Sequence, residues 1–299
     1  MTNKGARLAA TGALCLVSAC SSATGSTAHP TTIRVVATTT QTADFARAVG
    51  GEHVRVIALA TPGIDPHEFQ ESPADLEALR TADVIVRNGA GLDGWLDSLL
   101  TSSGTHAHIV DTSVGIQLRH EDNGPDPHIW TNPNNAKTMV DSIEHAIESA
   151  DPPHRADYAA NLVAYSAQLD TLDREIGASI AALPNKKFVT THDAFGYFVD
   201  HFHLEFVGSV IPSFDTNSET TAQQIQALVD AIKATGVRAI FTESTLPPKA
   251  AEALATQAHV RVIEGDNALY GDSLGPPGSN GDTYLKMMRH NAQVIASNL

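Results

Sequence analysis

The chain has 299 residues, room for one large or two ordinary domains, and a hydrophobic content of 42% supports real cores. Nineteen Lys and Arg stand against 34 Asp and Glu, a net charge of −15, which argues against nucleic acid as a partner. Both cysteines fall in the first twenty residues, so the folded body offers no disulfide and no thiolate ligand.

Residues 1–19 carry Lys4 and Arg7, then the short apolar run 8–16, then small residues up to Cys20. This resembles a bacterial lipoprotein signal, cleaved before Cys20, whose thiol takes a diacylglycerol. The apolar run is too short for a stable spanning helix. Cleavage would remove two cations, giving −15 − 2 = −17. Residues 20–32, rich in Ser, Thr, Gly and Ala, read as a flexible tether.

The first lobe is expected over 33–151. Strands are predicted at 32–39, 53–60, 83–88 and 108–112, with helices at 41–49, 73–82, 94–101 and 132–150. Residues 152–184 read as one long linker helix. Leu162, Tyr165, Leu169, Leu172, Ile176, Ile180 and Leu183 line one face, Pro152 and Pro153 suit its entry, and Pro184 stops it. Its predicted length is roughly 45–48 Å. The alternation returns over 185–299, with strands at 188–191, 204–211, 238–243 and 259–264. Helices are predicted at 194–202, 220–235, 247–257 and 282–299, and 272–281 is a Gly/Pro-rich loop. The fold class is therefore α/β: two lobes, each a mostly parallel sheet flanked by helices, joined by one long rigid helix with a cleft between them.

Four residues are candidates to hold a metal in that cleft. Asp65-Pro66-His67 and Asp126-Pro127-His128 each present an imidazole behind a residue of fixed φ. His192 ends a predicted strand, and Asp282 opens the last helix. Sites in open α/β sheets form at the carboxyl ends of strands. Three imidazoles and a carboxylate suit Zn(II), whereas more oxygen would favour Mn(II). A single His is ordinarily a surface or hydrogen-bonded residue, and Asp282 equally suits a helix cap. Asp65, Asp126, Asp193 and Glu243 are candidates either for orienting imidazoles from outside the shell or for capping turns and helices. His106, His108 and His120 lie near the first-lobe edge, where they are candidates either for a mobile metal-collecting loop or for ordinary surface residues, the second being favoured because the loop 118–127 is short.

The segments DPHEFQ, PADLEALRTADVIVRNGAGLDGWLD, DPHIWTNP, THDAFGYF, IFTEST and GDTYLKMMRHN resemble, in order and spacing, the metal-binding solute-binding lipoproteins of bacterial zinc and manganese ABC importers. The resemblance covers nearly everything after the tether. It implies a metal between two helix-joined lobes, held by His67, His128, His192 and Asp282. A His rather than a Glu at position 192 leans toward zinc. It also implies a monomeric, non-enzymatic receptor, lipid-anchored through Cys20 on the extracytoplasmic face of the cell membrane. Its partners would be a membrane permease and that permease's cytoplasmic ATPase. The long His-rich acidic loop of many zinc members is missing before DPHIW. The alternatives are a manganese or dual-metal receptor, a chelate receptor, or a secreted zinc hydrolase. Against the hydrolase stands the lack of an HExxH motif.

Overall fold

A computed structural model describes residues 1–2, 32–121 and 124–299. The expected signal peptide, Cys20 and nearly all of the tether lie outside the described residues.

Residues Thr32–Leu299 form one unit. Its first sheet contains β1 (Ile33–Ala37), β2 (Val54–Ala58), β3 (Val84–Arg87) and β4 (His108–Asp111), all parallel in the order β2-β1-β3-β4. Between them run α1 (Thr40–Gly50), α2 (Pro73–Arg80) and α3 (Leu96–Ser103). Thr39, Ser72 and their partners Thr42 and Asp75 close capping boxes that start α1 and α2. A small antiparallel hairpin, β5 (His120–Glu121) and β6 (Gly124–Pro125), follows β4. Helix α4 (Pro133–Ala150) completes this half.

The second sheet contains β7 (Lys187–His192), β8 (Glu205–Ile211), β9 (Ala239–Phe241) and β10 (Arg261–Ile263), parallel in the order β10-β9-β7-β8. Helices α6 (Gly196–Phe202), α7 (Ala222–Thr235), α8 (Lys249–Ala258) and α9 (Tyr284–Asn298) accompany it. Counted within its own half, each sheet has the order 2-1-3-4. The chain thus reverses direction beside the first strand of each half, and such switch points open a crevice.

Between the halves lies α5 (Arg155–Ala181), 27 residues and about 40 Å long. It is shorter than expected because Pro152 and Pro153 form a separate 3-10 turn before it. Tyr165, Leu169, Leu172, Ile176 and Ile180 are buried along the predicted face, joined by Tyr158. One hydrophobic cluster runs from Val35 and Phe45 of the first half, through α5, to Phe188, Phe241 and Ile295 of the second. Smaller clusters lie around Leu79, Ile85 and Leu96 in the first half and around Val229, Ile240 and Leu254 in the second.

Candidate metal centre

Three imidazoles and one carboxylate meet between the lobes. They belong to His67, His128, His192 and Asp272, whose donor atoms all lie within 4.8 Å of one another. The expected fourth residue, Asp282, is not among them. Its carboxylate accepts from Gly278 N and Lys286 Nζ, both at 2.8 Å, at the entry to α9. The helix cap itself is Thr283. Asp282 therefore acts locally, and the acid of the cage comes from the preceding Gly/Pro-rich loop.

Each imidazole is aimed by its neighbours. His67 sits in a 3-10 turn capped by Asp65, whose Oδ1 accepts His67 N at 2.8 Å. The other Asp65 oxygen accepts Thr216 Oγ1 from the opposite lobe. Asp126 Oδ1 accepts both the backbone N (3.0 Å) and the ring Nδ1 (2.8 Å) of His128. Glu243 does the same for His192, at 3.0 Å and 2.9 Å. His192 ends β7 and Glu243 lies just past β9, the two strands that flank the second switch point. With Nδ1–H donated to a carboxylate, Nε2 is the ring nitrogen turned inward. Asp193 takes no part in aiming the His192 ring. It is buried, one oxygen lacks a hydrogen bond, and burial together with the charge of Asp126 pushes it up to about 6.

The inner atoms are close. His128 Nε2 lies 3.4 Å from His67 Nε2 and 3.4 Å from His192 Nε2. Asp272 Oδ1 is 3.2 Å from His128 Nε2, and Oδ2 is 3.3 Å from His192 Nε2 and 4.0 Å from His67 Nε2. Despite these distances, both Asp272 oxygens are buried without an aligned hydrogen bond. A buried carboxylate in that condition is stabilised by positive charge placed beside it, and a metal ion fits that need.

Electrostatics follow from this crowding. Burial pulls His128 and His192 down, but their carboxylate neighbours outweigh it and raise them to about 10 and about 9. Burial dominates at His67 and lowers it to about 4. Asp272 is opposed by burial yet held below the ordinary carboxylate range by the three imidazoles.

Other histidines stand apart. His145, His154, His201 and His290 each pair with a nearby carboxylate or carbonyl. His106 and His108 line an outer hollow with Arg34 and Arg80, and His120 lies exposed in the hairpin. Sequence reasoning missed Asp272. The only local signal was a Gly-Asp pair in a loop otherwise read as a connection.

Two helix-joined α/β lobes closing on a buried cage of cation donors define a metal-binding, substrate-binding protein of an ABC transporter, a class without enzymatic activity. The chain belongs to the family of the zinc-uptake complex component A, periplasmic (ZnuA), whose profile matches residues 35–298. The manganese-binding lipoprotein MntA of Bacillus subtilis (strain 168) is 32% identical over 278 residues, 89% of this chain and 90% of its own. The iron ABC transporter substrate-binding lipoprotein MtsA of Streptococcus pyogenes serotype M1 is 29% identical over 297 residues, 95% of this chain and 94% of its own. The solved periplasmic zinc binding protein TroA from Treponema pallidum superimposes with a TM-score of 0.83 at 28% identity, covering 89% of this chain and 98% of that one. These names carry three metals, so the choice of metal must be argued from the donors.

Proposed function

We propose that this protein captures Zn(II) through Nε2 of His67, His128 and His192 and the carboxylate of Asp272. It then hands the ion to a membrane permease driven by a cytoplasmic ATPase. It works as a monomer outside the cell membrane, tethered by a lipid on Cys20, in keeping with relatives named as lipoproteins.

One observation carries the metal assignment. Tetrahedral zinc with nitrogen at about 2.0–2.1 Å sets donor-to-donor edges of roughly 3.3–3.4 Å. Four of the donor-to-donor distances fall at 3.4, 3.4, 3.2 and 3.3 Å, the last two from different Asp272 oxygens, and His67 Nε2 to Asp272 Oδ2 is longer at 4.0 Å. A shell of four protein donors leaves no corner for an activated water, which suits capture rather than hydrolysis.

Manganese is the second reading. Both Asp272 oxygens face imidazoles and lack other partners, so a bidentate carboxylate would add a fifth donor and favour a harder ion. The two metals separate in one titration. The chain from Ser21 onward is stripped of metal and titrated with Zn(II) and Mn(II) against a chelator. One tight zinc equivalent with much weaker manganese supports the first reading. Tight manganese supports the second. Binding of neither removes the cage as a metal site.

A further inference from the structure

We propose that Arg119 is a positioning residue of this cage, fixing Asp126 against His128 and strapping the hairpin of the first lobe onto α6 of the second. The inference rests on the ligand set proposed above.

Asp126 is fully buried and spends Oδ1 on the backbone and ring of His128. A buried carboxylate so placed is stabilised by a countercharge. Arg119 supplies it, with Nη1 2.6 Å from Asp126 Oδ2. The same guanidinium reaches across the lobes. Its Nε lies 2.9 Å from Asp200 Oδ2 on α6, and its carbon stands 5.7 Å from the centre of the Tyr197 ring. The Tyr197 hydroxyl accepts Arg119 N at 3.0 Å and donates to Asp126 O at 2.9 Å, locking the backbone of the same two residues.

The second lobe has made room for this contact. A Cβ at Gly196 would come within 1.4 Å of Arg119 Nη1. Glycine leaves space there for the guanidinium in this position, and backbone conformation is not the reason, since its φ is not in the left-handed region. Gly196 follows His192 by only four residues. The strap therefore ties the hairpin that leads to His128 to the helix that follows His192. Without Arg119, Asp126 is free to turn away, the His128 ring loses its aim, and two corners of the cage are no longer held in register. Such outer groups commonly matter 10–100-fold for metal affinity.

The test uses the full-length chain, Zn(II) and a competing chelator, with affinity and dissociation rate both measured. Arg119→Gln is expected to weaken zinc about 10–100-fold, chiefly through faster dissociation. Gly196→Ala, which displaces the guanidinium without removing it, should do the same. Arg119→Lys keeps a cation on Asp126 and should recover most of the loss. The double variant Arg119→Gln/Asp126→Asn should bind no more weakly than Asp126→Asn alone, because Arg119 acts through Asp126. Metal-free melting identifies any variant that fails to fold, and the remaining ones then carry the test. Parental affinity and dissociation in a folded Arg119→Gln or Gly196→Ala variant, or additive losses in the double, overturns the inference alone. A parent chain that binds neither zinc nor manganese overturns the ligand set as well.

Discussion

Asp126 and Glu243 solve one problem in the same way from opposite lobes. A single carboxylate oxygen takes both the backbone N–H and the ring Nδ1–H of the histidine it serves, so main chain and imidazole are fixed together. His67 has no such partner on its ring, and Asp65 holds only its backbone. The acid is where sequence and structure part. Asp272 and Asp282 both follow a glycine, ten residues apart, and only folding separates their roles. Asp282 has a lysine four residues on, whose Nζ lies 2.8 Å from its Oδ1, a local pairing at the helix start. Asp272 gains its meaning only when the loop is carried in beside three imidazoles. Asp272→Asn should therefore weaken zinc binding by more than about 100-fold, beyond the usual effect of an outer group. Asp282→Asn should leave it within a few-fold. Chelator competition on both variants checks this, and strong loss at Asp282 alone would restore it to the cage. The three histidines stood out locally only as candidates, two behind prolines and one at a strand end, and it was the family resemblance that grouped them. The acid was not legible, because nothing in its immediate sequence marks burial.

At the scale of elements, the alternation of strands and helices was readable throughout, since buried parallel strands and amphipathic helices have different periods. The hairpin β5–β6 escaped because two-residue strands carry no period and Gly124-Pro125 reads as a break. Helix α5 was visible for the opposite reason, with an apolar residue recurring at nearly every turn. Its stripe lies against α1, α4 and α9, so it belongs to the core of both halves rather than to a free linker. Leu169 is fully buried in this stripe. Leu169→Ala should cost about 2–5 kcal/mol and lower the metal-free melting temperature by several degrees, while zinc affinity changes little. Calorimetric melting beside the zinc titration checks both halves of that statement. A variant with unchanged melting would show that α5 contributes less to the core than its burial implies.

The whole molecule is braced in ways that limit how it can move. The loop bearing Asp272 belongs to the second lobe, yet first-lobe side chains hold it. Gln41 Nε2 and Trp130 Nε1 both donate to Gly271 O, and Thr40 Oγ1 accepts Leu274 N at 2.8 Å. Gly63 N donates to Ser273 Oγ at 3.0 Å, and Asp44 accepts Tyr284 N at 2.8 Å. Together with the continuous core and α5, these contacts make a wide hinge opening costly, because it would expose buried apolar surface and break several buried hydrogen bonds at once. Metal capture should then proceed by loop and side-chain adjustment around His67, the least buried of the four ligands, which lines a hollow with Phe214 and Asp215. Small-angle scattering of the metal-free and zinc-loaded protein should give nearly the same radius of gyration, without the contraction that hinge closure produces. Thermal stability should nevertheless rise on loading, by about 2.7 kcal/mol when free zinc is 100 times the Kd. A marked contraction on adding zinc would mean that the lobes part in the absence of metal, and that the interlobe bonds around Gly271 form only in the closed state.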